Sequence, residues 1–305
     1  MIFGVIGVGS MGKNHVRVLT EIKKVDNVVV YDVDLNRARD VAEMYEVDVV
    51  SSEDELLQKV DAVSVCSPTA LHYSHIRRCI EAGKHTFVEK PMASSYEEGK
   101  KILEILKKRD VVFGVGHIER FNPIVGELHK LELEIKYIDV KRHNPTSGRI
   151  RDSTVIEDLM IHDIDVVFNV LFPDATDFKL SAAGNNDVVQ VLVNLDSSVV
   201  SLSASRISSK KIRKIYIESY DMTVEGDYMT QELFIFKKPN VYQSINEGYR
   251  QENVMEKVLI SKVEPLKVEL KAFVDAIDKG IEFPVTAEQA LKNLKICDLV
   301  RRSVA

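Results

Sequence analysis

The stretch IFGVIGVGSMG, residues 2–12, joins a short apolar run to a glycine-rich turn and the start of a helical pattern. The turn has the spacing GxGxxG, and its residues are Gly7, Gly9, Ser10, Met11 and Gly12. A Cβ at the glycine positions would block a tight turn and the close approach of the backbone to a pyrophosphate, which binds N–H groups at the start of the helix. The stretch therefore predicts a strand, a turn and a helix that bind a dinucleotide. A glycine-rich turn without a ligand is the alternative.

The next strand pattern supports dinucleotide binding. The run NVVVYD ends in Asp32, about twenty residues past Gly12, where a carboxylate can accept hydrogen bonds from the adenosine ribose hydroxyls. A carboxylate there would also repel the 2′-phosphate of NADP, so the sequence favours NAD over NADP. Arg37 and Arg39 follow on the next helical pattern and could receive that phosphate, although helix residues of this kind are usually solvated.

Beyond this motif the chain has two patterns. Up to residue 118, short β-branched runs alternate with helical patterns, which predicts a parallel, doubly wound α/β domain. After one polar helix, IEDLMIHDIDVVFNVLF, strand patterns follow one another with hairpin-like breaks, which predicts an α+β domain with an open, largely antiparallel sheet. The tail returns to helical spacing. We therefore expect two domains, 1–118 and 119–305.

Composition excludes several classes of protein. The 305 residues carry a net charge of −6 without a basic block, so nucleic acid is not an expected partner. The apolar first residues lack a basic flank and a cleavage site, and no apolar run reaches membrane-spanning length, so we expect a soluble, cytoplasmic protein with no membrane partner. Cys66, Cys79 and Cys297 lack metal-ligand spacing, so we expect reduced thiols and no metal.

The stretch HTFVEKPMA, residues 85–93, places Glu89, Lys90 and Pro91 directly behind an apolar run. Termination of an edge strand by charge and proline is the simple explanation. In a dinucleotide-binding sheet, however, Lys90 would stand at the carboxyl end of a strand, where ligands gather and where its ammonium can reach a substrate hydroxyl. A Lys–Pro bond can also be cis.

A second polar cluster, DLMIHDID, lies within the polar helix. Helical spacing of four puts Asp158 and His162 on one face, and Asp165 follows on nearly the same face. A histidine that a carboxylate holds in place can accept the proton of an alcohol. An ion pair on a helix surface is the alternative, and one histidine with flanking carboxylates offers too few ligands for a metal site.

Together these motifs resemble the glucose–fructose oxidoreductase, inositol dehydrogenase and MocA family of NAD(P)-dependent sugar and polyol dehydrogenases. The resemblance covers essentially the whole chain and rests on GVIGVGSMGKNH, SPTALHYSHIRRCIEAGKHTFVEKPMA and DLMIHDID. It implies an N-terminal Rossmann domain that binds NAD and a C-terminal domain that binds the substrate. It also implies that an exposed sheet face of the second domain makes a subunit interface, in a homodimer or homotetramer.

The resemblance assigns roles residue by residue. Lys90, Asp158 and His162 match the catalytic positions of the family, and we expect His162 to be the base, Lys90 to polarise the hydroxyl and Asp158 to orient the pair. The segments expected to line the cofactor contribute Ser67, Pro68, Thr69, His72, Glu89 and Lys90.

A narrower likeness lies in GHIERFNP, residues 116–123, and RIRD, residues 149–152, ahead of DLMIHDID. These segments look like the UDP-N-acetylglucosamine 3-dehydrogenase branch, which oxidises the 3-hydroxyl of a nucleotide-linked amino sugar. Guanidinium groups suit phosphate geometry. The candidate substrate-binding residues are Arg120, Asn122, Arg149, Arg151, Asp158 and His162. An inositol or free-sugar dehydrogenase and a non-catalytic NAD-binding regulator remain the alternatives.

Overall fold

The computed structural model describes residues 1–145, 153–195, 197–238, 242–245, 248–251 and 254–304. Its strands are β1 Ile2–Ile6, β2 Asn27–Tyr31, β3 Asp48–Val49, β4 Ala62–Val65, β5 His85–Glu89, β6 Phe113–Gly116, β7 Tyr137–His143, β8 Lys179–Gly184, β9 Val188–Leu195, β10 Ser198–Ser205, β11 Ile212–Glu218, β12 Met222–Asp227, β13 Glu232–Lys237, β14 Tyr242–Ile245, β15 Gly248–Gln251 and β16 Val254–Lys257.

The helices are α1 Ser10–Thr20, α2 Leu35–Tyr45, α3 Glu53–Lys59, α4 Thr69–Glu81, α5 Tyr96–Leu106, α6 Pro123–Lys130, α7 Ile161–Val166, α8 Pro265–Lys279 and α9 Ala287–Val304. A short 3₁₀ turn covers Ile118–Phe121. The residues on either side of α7, Ile156–Met160 and Val167–Leu171, have π-helical hydrogen bonding. In the parts of the chain that the structure describes, no helix is long and apolar enough to cross a membrane.

The chain forms two compact units: Met1–Phe121 with Glu264–Lys295, and Asn122–Val263 with Ile296–Ala305. The predicted boundary at residue 118 differs from this division, since residues 264–295 return to the first unit. The reason is an aromatic cluster, in which the Phe273 ring of α8 lies with its centroid 6.1 Å from Phe3 and 5.4 Å from Phe87. Helical spacing in the tail indicated an apolar helix face, but did not indicate which sheet the helix covers.

The first unit contains a parallel sheet with the strand order β3-β2-β1-β4-β5-β6. This order confirms the predicted doubly wound α/β fold. The chain adds β2 and β3 on one side of β1 and then adds β4, β5 and β6 on the other side. Asp32 follows β2 directly, Ser67 comes just after β4 and Lys90 follows β5 directly. All three residues therefore lie at the carboxyl edge of the sheet, where doubly wound folds bind their ligands.

The second unit contains a sheet with the order β16-β13-β12-β11-β7-β10-β9-β8, in which neighbours are antiparallel except for the parallel pair β7 and β10. The predicted open, largely antiparallel sheet is therefore confirmed. Alternate residues of β9 are buried, and they join residues 156–168 of the helical segment in one hydrophobic core. Strand β8 was not predicted, because its sequence KLSAAG lacks a clear apolar alternation.

A buried ion pair connects α7 to strand β7 of this sheet. Arg142 of β7 donates from Nε to both oxygens of Asp163 at 2.9 and 3.0 Å, and from Nη2 to Oδ1 at 2.7 Å. Both side chains are almost fully buried. Loss of one partner would leave an uncompensated charge in the core, which typically costs about 3–5 kcal/mol. The pair therefore fixes the helical segment that carries Asp158 and His162.

Candidate functional site

The turn after β1 has the geometry that its glycines predicted. Gly7 has φ +84°, a value that residues with side chains rarely adopt, and its N–H donates to the Tyr31 carbonyl at 2.8 Å. A Cβ on Gly12 would come 1.8 Å from the Gly7 carbonyl oxygen, whereas a Cβ on Gly9 would meet nothing within 4 Å. Helix α1 thus packs directly on the turn, and Gly9 faces open space at the start of the helix. This arrangement fits a pyrophosphate bound to helix N–H groups.

Asp32 is fixed beside the turn. Its side chain is almost fully buried, and its carboxylate accepts hydrogen bonds from the backbone N–H of Val8 at 2.8 Å and of Asp34 at 2.9 Å. The guanidinium of Arg37 lies 3.5 Å from the same carboxylate. The carboxylate therefore stands at the end of β2 next to the glycine turn, as a residue that binds the adenosine ribose must.

The residues after β4 form the next part of the carboxyl edge of the first sheet. The Ser67 hydroxyl is buried and has no hydrogen-bond partner among the described residues. Buried polar groups are almost always hydrogen-bonded in a complete protein, so this hydroxyl fits a site that a cofactor completes. Pro68 precedes α4, and Thr69 is the first residue of that helix. The glycine turn, Asp32 and this segment together fit a bound dinucleotide.

His72 connects the segments after β4 and β5. Its ring nitrogens lie 2.9 Å from the Ser67 carbonyl oxygen and 2.8 Å from the Pro91 carbonyl oxygen. Burial lowers the pKa of His72, although the two carbonyl contacts act in the opposite direction. The side chain is buried and engaged by these two loops, so its predicted contact with the cofactor remains a prediction.

Glu89 is the last residue of β5, Lys90 follows it directly as predicted, and the Lys90–Pro91 bond is cis. The Glu89 carboxylate lies 2.8 Å from Nε2 of His15 on α1, and Nδ1 of His15 lies 2.8 Å from the Ser64 hydroxyl. Burial alone would raise the pKa of Glu89, but the His15 hydrogen bond and the charges of His15, Lys90 and His72 lower it below its ordinary value.

The partner of Glu89 was missed from the sequence. His15 stands within the quoted stretch GVIGVGSMGKNH, but no role was assigned to it. Its signal was its position on α1, since residues 12, 15, 16 and 19 have the three- and four-residue spacing of one buried helix face. A histidine on such a face needs a polar partner. The sequence could not show that this partner is Glu89, 74 residues further along the chain.

In the second unit, the side chains of Asp158 and His162 are both partly exposed. Asp165 is fully buried and accepts a hydrogen bond from Asn169 Nδ2 at 2.9 Å, and its predicted place on nearly the same face as Asp158 and His162 remains a prediction. His162 and Asp165 both lie within α7, whereas Asp158 lies in the preceding segment with π-helical hydrogen bonding. Within the described ranges, no group of three or more His, Cys, Asp or Glu residues is placed to hold a metal ion.

Two of the remaining candidates for substrate binding, Asn122 and Arg120, make hydrogen bonds within the protein. Asn122 caps α6, since its side-chain oxygen accepts the Ile124 N–H at 3.3 Å, and its amide donates to the Tyr228 carbonyl at 3.0 Å. Arg120 in the 3₁₀ turn donates to Gln289 at 2.6 Å. Their predicted contacts with substrate remain predictions. Arg149 and Arg151 lie outside the described residues.

Known proteins with this architecture are similar over nearly the whole chain. The chain is 29% identical over 280 residues to a UDP-N-acetylglucosamine 3-dehydrogenase from Acidithiobacillus ferrooxidans, covering 90% of this chain and 88% of that protein. A solved structure of the enzyme from that organism superimposes with a TM-score of 0.88 at 27% identity, covering 100% of this chain and 97% of that one. An inositol 2-dehydrogenase from Rhizobium meliloti is 24% identical, covering 99% of this chain and 96% of that protein.

Residues 1–117 match the GFO_IDH_MocA family, described as an oxidoreductase family with an NAD-binding Rossmann fold. The resemblance drawn from the sequence motifs is thereby confirmed, and the protein is an NAD-binding oxidoreductase. In the matched residues, the glycine turn, Asp32 and the residues after β4 are the groups that fit the dinucleotide.

The position of Asp32 predicts the choice between NAD and NADP. We expect Asp32→Ser to lower the ratio of kcat/KM with NAD to kcat/KM with NADP. The substitution removes the carboxylate that would repel the 2′-phosphate of NADP and leaves Arg37 nearby. The measurement is kcat/KM with each cofactor. Asp61→Ser is the matched control, since Asp61 also accepts a backbone N–H, from Ile2 at 2.8 Å, but precedes β4 at the opposite edge of the sheet. A wild-type protein with higher kcat/KM for NADP than for NAD would contradict the prediction.

Proposed function

We propose that this protein oxidises the 3-hydroxyl of UDP-N-acetylglucosamine, or of a close UDP-amino sugar, to a ketone with NAD as the oxidant. The observation that carries this proposal is the similarity to a UDP-N-acetylglucosamine 3-dehydrogenase over 90% of the chain. The segments GHIERFNP and RIRD and the helix segment DLMIHDID give further support.

The proposed reaction removes a proton and a hydride from one carbinol group of the sugar. His162 accepts the hydroxyl proton, Lys90 donates a hydrogen bond to the hydroxyl oxygen, and Asp158 orients the imidazole. NAD, when bound, supplies the acceptor for the hydride that leaves the carbon. Arg120, together with Arg149 and Arg151, would bind the diphosphate, because guanidinium groups match phosphate geometry.

Loss of the proposed proton-transfer groups should slow the chemical step. We expect Lys90→Ala and His162→Ala to lower kcat about a hundredfold or more, the usual contribution of general acid–base groups, with little change in NADH affinity. Steady-state kinetics and NADH fluorescence titration measure the two quantities. Lys84→Ala and His129→Ala are the controls, since both residues lie outside the proposed site. Near-wild-type kcat in both Lys90→Ala and His162→Ala would disprove the assignment.

An inositol or free-sugar dehydrogenase is the second candidate function. It is favoured by the inositol 2-dehydrogenases among the relatives, one of which aligns with 99% of this chain. The two functions differ in the dependence on a nucleotide. A diphosphate and a uridine give binding energy remote from the reacting carbon, which an enzyme can use to hold that carbon in place.

The substrate assay follows NADH formation with UDP-N-acetylglucosamine, free N-acetylglucosamine and myo-inositol. We expect the nucleotide sugar to be oxidised fastest and the free sugar poorly, because the free sugar lacks the remote contacts. Oxidation of a secondary alcohol by NAD is uphill, so each substrate is tested with and without a carbonyl-trapping reagent. Faster oxidation of inositol, or no turnover of the UDP-sugar with the trap, would favour the second function.

We also propose that the protein is a homodimer or homotetramer joined through the outer face of the eight-stranded sheet. Val200, Leu202 and Ala204 face the core, and the intervening residues of β10 face outwards. This outer face includes Leu192, 51% exposed, and Val199, 39% exposed. Exposed apolar residues on a broad sheet face favour coverage by another subunit.

Light scattering at micromolar concentration tests the assembly. We expect the wild-type protein to be oligomeric and Leu192→Lys with Val199→Lys to shift it towards the monomer, because buried lysines oppose association. Leu259→Lys is the control, since Leu259 is 99% exposed and lies beyond β16, outside that face. A monomeric wild-type protein would contradict the proposal.

A further inference from the structure

A carboxylate with little access to water comes directly before Asp158, one of the proposed catalytic residues. Glu157 lies in the segment with π-helical hydrogen bonding, and its side chain is 13% exposed. The guanidinium of Arg301 on α9 donates to its Oε1, from Nε at 3.1 Å and also from Nη2. Its Oε2 accepts a hydrogen bond from the Thr154 hydroxyl. Donors from two different elements therefore engage the two oxygens of this carboxylate.

Thr154 connects Glu157 to the backbone of the same turn. The Thr154 hydroxyl oxygen accepts the N–H of Ile156 at 3.2 Å, and the Thr154 carbonyl oxygen accepts the N–H of Asp158 at 3.1 Å. A continuous series of hydrogen bonds thus leads from the Arg301 guanidinium through the Glu157 carboxylate and Thr154 to the backbone of Asp158.

We propose that Arg301 is a positioning residue, which holds the turn from Thr154 to Asp158 in the place that the reaction requires. The inference deepens the proposed function, since it rests on Asp158 and His162 taking part in the reaction. Arg301 acts through Glu157 and does not itself touch the substrate.

The start of this turn is held by other contacts. Arg206 donates from Nη2 to the Ser153 carbonyl at 2.8 Å, and the N–H of Val155 donates to the Asn186 carbonyl at 3.0 Å. These contacts do not involve α9. Loss of the Arg301 contact should therefore displace the end of the turn and leave its start in place.

The exposure of the two partners separates the effect on stability from the effect on the site. The side chain of Arg301 is 48% exposed, and ion pairs with so much access to water add little stability. Glu157 without Arg301 would lose the donors to one oxygen while most of its carboxylate stays away from water, which is costly. The carboxylate can recover hydrogen bonds by turning towards solvent, and the turn bonded to it then moves. A shift of about 1 Å at a reacting group can lower a rate about a hundredfold.

Steady-state kinetics with whichever substrate is oxidised fastest test the inference. We expect Arg301→Leu to lower kcat about tenfold or more, because Asp158 is displaced, with little change in NADH affinity or in melting temperature. Arg301→Lys keeps a cationic donor and should retain more of the wild-type kcat. Near-wild-type kcat in Arg301→Leu would overturn the inference.

Arg302→Leu is the matched control. Arg302 is the next residue of α9 and pairs with Asp298 at 2.6 Å, and Arg301 also contacts Asp298, at 3.2 Å. The control therefore removes a neighbouring cation and an ion pair of the same helix, but leaves the contact with Glu157. We expect its kcat to stay near the wild-type value, and a loss equal to that of Arg301→Leu would overturn the inference.

A double variant tests whether Arg301 acts through Glu157. Glu157→Ala should also lower kcat, and the addition of Arg301→Leu should cause little further loss, because the contact is already absent. Losses that multiply would overturn the inference. Glu157→Ala leaves a half-exposed guanidinium that water can hydrate, so it tests the contact even if Arg301→Leu does not fold. Wild-type kcat in Glu157→Ala would then overturn the inference.

Hydrogen exchange followed by mass spectrometry tests the position of the turn without turnover. Backbone amides of residues 154–162 should exchange faster in Arg301→Leu than in the wild-type protein, because the hydrogen bonds of the turn are weakened. Their exchange should be unchanged in Arg302→Leu. Wild-type exchange of this segment in Arg301→Leu would overturn the inference.

The two kinds of measurement separate this inference from the proposed function. If Arg301→Leu speeds exchange of the turn but His162→Ala retains kcat, Arg301 holds the turn and the catalytic assignment fails. If His162→Ala is inactive but Arg301→Leu retains kcat, the proposed function stands and the inference fails.

Discussion

The contact between Gly12 and the Gly7 carbonyl is the constraint on which the first unit depends. A Cβ at Gly12 would lie 1.8 Å from that oxygen, so only glycine lets α1 pack directly on the turn after β1. With α1 in this position, its N-terminus faces open space at Gly9, and His15 reaches Ser64 and Glu89 on the neighbouring strands. The dinucleotide turn and the placement of Lys90 therefore depend on the same helix.

In each unit a buried contact between a basic side chain and a carboxylate lies next to a proposed catalytic residue in the sequence. In the first unit Glu89 is bound by His15 and is followed directly by Lys90. In the second, Arg142 in the sheet binds Asp163, the neighbour of His162 in sequence. Apolar packing could give a similar net stability. Separating the two partners of such a contact is strongly destabilising, however, because it leaves a buried polar or charged group unpaired. Contacts of this kind suit a site whose side chains need a defined position.

The sequence predicted what depends on local patterns and missed what depends on distant pairing. Strand and helix alternation, the glycine turn and the position of Asp32 follow from spacing alone, and the structure has all of them. The return of α8 to the first unit could not be predicted, because an apolar helix face such as that of Phe273 does not specify its partner. For the same reason, the sequence did not show that Arg142 pairs with Asp163. The π-helical hydrogen bonding on both sides of α7 was not predicted either, because it leaves no reliable sign in the sequence.

The proposed function requires that the hydride come from C3 of a UDP-linked amino sugar. It is tested most directly with UDP-N-acetylglucosamine that carries deuterium only at C3 of the sugar. After incubation with the enzyme, NAD and a carbonyl trap, mass spectrometry should find NADH with one deuterium and a trapped sugar without it. NADH that forms without deuterium would place the oxidation at another carbon, and deuterium that stays wholly in the sugar would contradict the account.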